Sequence, residues 1–253
     1  MMTDSTAKSS ASPDLDAVTG QEPTHENLYA EQKSPARHAT RTPPPAHEKP
    51  EPQHLRDLFD NATFEHHYQP DSTIVLHGDR VQAMYLIVSG TVRCCTIDPE
   101  GRRQIFRFAQ KGAVLGVADI DKWHFTAEAV DHVILRSVAQ STLRQALTAN
   151  PLLCQELIRR ICELLRKDER QLLSLAHNKA PERLLQFLTD FAAERGASGK
   201  SHVALPMCRR DIADHLGLSI ETVSRAFSTL KNSGQIEMPT FESYRIYPPA
   251  PVA

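Results

Sequence analysis

The chain has 253 residues, 29 lysines and arginines against 31 aspartates and glutamates, a formal charge of -2 and 40% hydrophobic residues. That is enough for one large or two modest cores plus tails, and it excludes nucleic-acid binding through bulk positive charge, leaving only a local patch. Five cysteines without a C-x-x-C pair exclude a disulfide framework, the polar opening Met1 to Ser12 excludes a secretory signal, and no apolar stretch reaches membrane-span length, so a soluble cytoplasmic protein is expected.

Residues 1–55 read as a disordered tail: they are rich in proline, have Tyr29 as their aromatic residue and show no periodic apolar pattern. The texture then changes. Residues 56–150 contain short alternating or apolar runs at 73–77, 84–88, 91–97, 104–108, 125–130 and 133–138, which read as strands. Gly78, Gly90, Gly101 and Gly112 punctuate them with the rhythm of hairpin turns in an all-β sandwich or barrel, and Pro99-Glu100-Gly101-Arg102 is a clear turn. His66 and His67 alternate faces, and with His77, His124 and His132 they show no zinc spacing, so surface or satisfied histidines and no metal site are expected. Cys94 and Cys95 also alternate, one read as core and one as rim.

Residues 151–178 read as one long helix opened by Pro151, with Leu157, Ile161, Leu164, Leu172 and Leu175 near heptad a and d places and with Asp168 and Gln171 interrupting the stripe. A pairing seam with a second copy is expected there. Ala180-Pro181 then breaks the chain, and Glu182 to Arg195 opens the last domain, 179–253.

Within it, Ile212, Ala213 and Leu216 form one apolar stripe and Val223, Phe227 and Leu230 a second, with Gly217 between them for a tight turn. Ser219 is placed to cap the second helix, and Glu221, Ser224 and Arg225 share its opposite face. Arginine can pair bidentately with guanine, glutamate accepts from the cytosine amino group and serine serves either role, so this is a candidate base-reading face. Arg209, Arg210, Ser219, Thr222 and Lys231 are the candidate phosphate contacts. Gly234 to Met238 and Ser243 to Tyr247, separated by Pro239 to Glu242, read as a winged hairpin.

The runs Leu205-Pro206-Met207, Arg209-Arg210-Asp211-Ile212-Ala213-Asp214, Leu216-Gly217-Leu218 and Ile220-Glu221-Thr222-Val223-Ser224-Arg225 resemble the DNA-binding signature of the CRP/FNR superfamily, FixK-like branch. In the CRP branch an arginine stands at the position of Ile220 and a glycine at that of Ser224. The resemblance implies an α+β architecture: an N-terminal β jelly roll like a cyclic-nucleotide-binding domain, a long dimerisation helix and a C-terminal winged helix-turn-helix. It implies a homodimeric regulator that binds double-stranded DNA at a palindromic TTGAT-type site, works with RNA polymerase and controls genes of low-oxygen or nitrogen-oxide respiration.

The chain also departs from relatives. The N-terminal cysteines that ligate a 4Fe-4S cluster in FNR proteins are missing, the first cysteine being Cys94, so no iron-sulfur cofactor is expected. Where cyclic-nucleotide binders carry Gly-Glu and Arg-Ser/Thr-Ala, this chain has Gly116-Val117 and Phe125-Thr126-Ala127, which cannot hold a ribose or a phosphate, so no cyclic AMP site is expected either. A haem- or other small-ligand-sensing member of the superfamily, or a ligand-binding module acting through protein contacts, are the alternatives. No catalytic signature supports an enzyme. Cys208, where many relatives have serine, stands at a helix start before Arg209 and Arg210 and is a candidate redox switch.

Overall fold

The computed structural model describes residues 54–60, 65–197 and 201–247. In the first half the chain turns at Gly78, Gly90, Gly101 and Gly112, all at positive φ, which side chains avoid. At Gly90 the requirement is also steric, because a Cβ there would lie 2.4 Å from the His132 carbonyl oxygen. Between the turns run eight strands: β1 (Glu65–Tyr68), β2 (Thr73–Val75), β3 (Ala83–Ser89), β4 (Thr91–Ile97), β5 (Arg103–Gln110), β6 (Val114–Leu115), β7 (Thr126–Ala129) and β8 (Val133–Ala139). They form two antiparallel sheets, β1-β8-β3-β6 and β2-β7-β4-β5, the jelly roll expected. Val75, Ile87, Val92, Cys94, Trp123, Phe125 and Leu135 fill the space between them.

Sequence reading missed β1, which is polar and lies at a sheet edge, and β6, which has two residues. It also missed two helices. Helix α1 (Leu55–Asp60) buries Leu55, Leu58 and Phe59 against Met84 and Val138. The tail expected over 1–55 therefore ends before Leu55, and its residues 1–53 lie outside the described residues. Helix α2 (Gln140–Ala149) continues from β8.

Helix α3 (Pro151–His177) begins as expected, with Pro151 in the first turn and the Asn150 side chain accepting from the Leu152 amide at 3.0 Å. It carries two stripes. Leu153 and Leu157, followed by Leu164, Lys167 and Gln171 at heptad spacing, face the protein's own body: Leu153 is buried, Leu157 packs on the Leu55/Phe59/Met84 cluster, and Gln171 donates to the His215 carbonyl at 3.4 Å. Ile158, Ile161, Leu165 and Leu172 make a second, exposed stripe.

The break after α3 falls at Asn178 and Lys179, two residues earlier than expected, because Pro181 is tolerated in the first turn of α4 (Ala180–Glu194). The last domain adds β9 (Val203–Ala204), α5 (Arg209–Leu216), α6 (Ile220–Asn232), β10 (Ile236–Thr240) and β11 (Ser243–Ile246). Its three strands pair in the order β10-β11-β9, and the Tyr244 hydroxyl donates to the Leu188 carbonyl at 2.6 Å, tying the sheet to α4.

The two halves share a core. Cys95, Ile105 and Phe108, on the outer face of the β4-β5 hairpin, cluster with Leu184, Phe187, Ile212, Leu216 and Val223. This corrects the reading of Cys94 and Cys95: both are buried, Cys94 in the sandwich and Cys95 under the last domain. The rim expected at this hairpin is covered.

Candidate nucleic-acid interface

Helices α5 and α6 cross through Gly217, which caps α5 at φ 62°, ψ 42°, a left-handed conformation available to glycine without a Cβ penalty. Ile212, Ala213 and Leu216 of α5 and Val223, Ala226, Phe227 and Leu230 of α6 are buried, so both expected apolar stripes face inward. Ser219 caps α6, its Oγ accepting from the Thr222 amide at 3.2 Å.

The opposite face of α6 projects from the body. Glu221, Ser224 and Arg225 are all exposed on it. The Arg225 guanidinium is steadied by Nη2 donating to Thr222 Oγ1 at 3.3 Å, and Ser224 Oγ donates to the Ile220 carbonyl at 3.0 Å, leaving its lone pairs outward. Its own backbone amide at the helix start, then the Ser219 hydroxyl, hold the Glu221 carboxyl below its usual range. It is therefore an ionised acceptor at neutral pH. The face presents one acceptor, one hydroxyl and one forked donor along a single helical ridge.

The candidate phosphate contacts divide around that ridge. Arg209 is half-buried with its guanidinium 3.5 Å from the centre of the Phe227 ring and has no carboxylate partner among the described residues. Burial pulls its pKa down. With Lys231, Ser224, Ser228 and the hairpin tip Pro239 to Phe241 it lines a cleft of about 620 Å³ between α6 and the β10-β11 hairpin. Arg210 is exposed on the other side, where it shares a hollow with Ser219 and Glu221. Cys208 is the N-cap residue of α5, exposed and without a side-chain cap bond.

The dimer residues read from the sequence fall on both stripes of α3. Ile161 and Leu172 lie on the exposed one and Leu175 is half-buried, whereas Leu157 and Leu164 turn toward their own domain. Their neighbours Ile158 and Leu165 are exposed instead, because one step along a helix rotates the side chain by about 100°.

In the jelly roll, Phe125 is 3% exposed and packs edge-to-face on Trp123 and Phe106. A side chain at Gly116 would meet the same Trp123 ring at 2.8 Å. Among the described residues no group of three or more His, Cys, Asp and Glu side chains is placed to hold a metal. None of their helices is long and apolar enough to cross a membrane.

Residues 65–150 match the cyclic nucleotide-binding domain family and residues 182–247 the Crp-like helix-turn-helix domain family. The nitrogen fixation regulation protein FixK of Bradyrhizobium diazoefficiens is 34% identical over 193 residues, 71% of this chain and 79% of that protein. The chain belongs to the CRP/FNR superfamily of transcription regulators, in its FixK-like branch. The FixK protein of Azorhizobium caulinodans is 40% identical over 161 residues, which span 62% of this chain and 64% of that protein's length. The structure of FixK2 from Bradyrhizobium japonicum superposes with a TM-score of 0.69 at 32% identity, covering 73% of this chain and 92% of that one. Membership in the CRP/FNR superfamily accounts for the jelly roll, the long helix and the winged helix-turn-helix in that order.

Sequence reading of this CRP/FNR chain missed the residues that join its halves. Arg103 reaches from β5 to Asp211 (2.5 Å) and Asp214 (2.9 Å) of α5, and Arg93 reaches from β4 to Asp211 at 3.4 Å. The signal was present in Ile105-Phe106-Arg107-Phe108-Ala109: a strand apolar on both faces is covered on both.

Proposed function

We propose that the protein acts in the cytoplasm as a homodimer, reading a palindrome of two TTGAT-type half-sites about one helical turn apart. The observation that carries this reading is the single exposed ridge of Glu221, Ser224 and Arg225 on the Ser219-capped α6, with Arg209, Arg210 and Lys231 beside it. Arg225 reads guanine N7 and O6, Glu221 accepts from the cytosine amino group, and Ser224 completes the contact. Arg209, Arg210, Ser219, Thr222 and Lys231 hold the phosphates. Ile158, Ile161, Leu165, Leu172 and Leu175 form the dimer seam, with Asp168 as its polar interruption.

The regulator works with RNA polymerase at genes of low-oxygen or nitrogen-oxide respiration; its similarity to two nitrogen fixation regulation proteins supports a regulatory role. It performs no catalysis. A duplex shift that weakens steeply with salt and is lost on Arg225→Ala supports this function. Salt-independent binding, or binding indifferent to that substitution, refutes it.

A further inference from the structure

The connection between α3 and α4 is two non-helical residues, Asn178 and Lys179. A joint that short still has four soft backbone dihedrals, so it tethers the last domain to α3 without dictating its angle. The angle must come from non-covalent contacts. The shared core around Cys95, Ile105 and Phe108 is mainly apolar, and the drive to bury apolar surface is non-directional, so much of the alignment is left to polar contacts.

The ion pairs at the same junction are directional. Asp211 stands in the first turn of α5 with its side chain 4% exposed, and its two oxygens accept from two arginines of the β4-β5 hairpin, Arg103 at 2.5 Å and Arg93 at 3.4 Å. Arg103 also donates through Nε to Asp214 at 2.9 Å, one turn further along α5. Arg93 is itself held in the sandwich, with Nε donating to Glu128 at 2.7 Å and Nη2 to Asp71 at 2.9 Å. The result is a chain of alternating charges from the sheet to the first helix of the reading head.

A buried ion pair adds little net stability, because desolvation offsets its attraction, but shifting one partner leaves an uncompensated charge in a dry place. Such a pair penalises every misaligned arrangement more than it strengthens the aligned one. Two planar forks converging on one carboxylate fix distance and tilt together. Helix α6 then follows α5 through the turn at Gly217 and their common apolar face.

We propose that Arg93 and Arg103 are positioning residues which, through Asp211 and Asp214, set the spacing between half-sites that the dimer accepts. The inference rests on the homodimeric reading above. Two reading helices related by a two-fold axis lie a fixed distance apart only if each is held at a fixed angle to its own α3. Neither arginine reads a base. They determine specificity from outside the DNA interface.

The test uses the full chain and three duplexes: two half-sites recovered by selection from random DNA, at the selected spacing and at one base pair more and less. A fourth duplex has a single half-site. Wild type favours the selected spacing by about a hundredfold, the scale of avidity that is lost when geometry forbids both heads to engage. Arg103→Gln, and Arg93→Gln with Arg103→Gln, reduce that preference to a few-fold and leave half-site affinity and base preference at wild-type values, while the melting temperature falls because the buried Asp211 loses its partners. Arg103→Lys, which keeps the charge and loses the fork, restores part of it. A double variant that binds the single half-site normally and keeps the full preference overturns the proposal. So does an equal loss of affinity for every duplex, which assigns the arginines to folding of the reading head or to direct phosphate contact. Should either arginine variant fail to fold, Asp214→Asn, which removes a partly exposed partner, is read by the same criteria. A wild type that binds as a monomer with no spacing preference refutes the homodimer as well, so the two failures are told apart.

Discussion

The Nδ1 nitrogen of His215 in α5 donates to the backbone carbonyl oxygen of Ile105 in β5 at 3.0 Å. His215 is buried between Phe108 and Phe187, and burial lowers its pKa to about 4. An unfolded chain protonates this histidine below about 6.5, the folded one below about 4, so across that window the unfolded state holds more protons. Stability is full above pH 6.5 and falls with pH, by up to about 3 kcal/mol once pH 4 is reached. Urea midpoints between pH 5 and 7, above most carboxylate titrations, check this: His215→Gln flattens the slope there. An unchanged slope in that variant assigns it to other groups.

The two stripes of α3 separate by mutation. Leu165→Lys places like charges across the dimer seam and yields a folded monomer in analytical ultracentrifugation. Leu164→Lys, one residue away, keeps the dimer and lowers thermal stability by about 1–3 kcal/mol, the ordinary cost of a charge against a domain's own body. A monomeric Leu164→Lys with unchanged stability returns the seam to the register read from the sequence.

Arg225→Ala costs about 1–3 kcal/mol at the guanine of each half-site and relaxes selectivity there. Arg209→Ala weakens all sequences alike and reduces the salt slope, and it also lowers the melting temperature, because its guanidinium covers Phe227. Binding-site selection with both variants measures the difference. Recovery of a TGTGA half-site by wild type contradicts the FixK-like reading of Glu221, Ser224 and Arg225.

Cyclic AMP in excess changes neither DNA affinity nor melting temperature. A ligand present at a hundred times its Kd adds about 3 kcal/mol to the native state, easily seen in a thermal scan. The Phe125 and Trp123 rings occupy the sandwich interior beside the Gly116-Val117 turn, and a dose-dependent rise would show that they move aside.

Peroxide treatment lowers operator binding through Cys208, since a sulfenic or sulfinic group at the start of α5 adds bulk and, once ionised, negative charge close to the DNA phosphates. Cys208→Ala is protected. Cys94 and Cys95 serve as controls because both are buried, and burial pushes the Cys94 thiol up to about 12. Cys162 is exposed on α3, so Cys162→Ser is measured alongside. Equal loss in wild type and Cys208→Ala removes the switch.

The reading ridge was legible in the sequence because its signals are local: a capping serine, a left-handed glycine and two helical stripes within twenty residues. The jelly roll was legible from its glycine rhythm, less so at β1 and β6, where a polar edge strand and a two-residue strand carry no periodicity. The register of α3 was not. Leu157 and Ile158 are adjacent and both apolar, and only the presence of the α1 cluster on one side decides which of them faces inward. The Arg93, Arg103 and Asp211 contacts were hidden because 118 residues separate Arg93 from Asp211, and an ion pair over such a span has no sequence period.

Cys95, Ile105 and Phe108 belong to the same core as Leu184, Ile212 and Val223, although one set lies in the sandwich and the other in the DNA-binding half. The boundary drawn by domain families is therefore not a boundary of recombination. A chimera that joins this jelly roll to the reading head of a relative must also exchange the β4-β5 hairpin, or it will bring together two apolar surfaces that were never shaped for each other. Substitutions on the exposed side of α6 leave that shared core untouched.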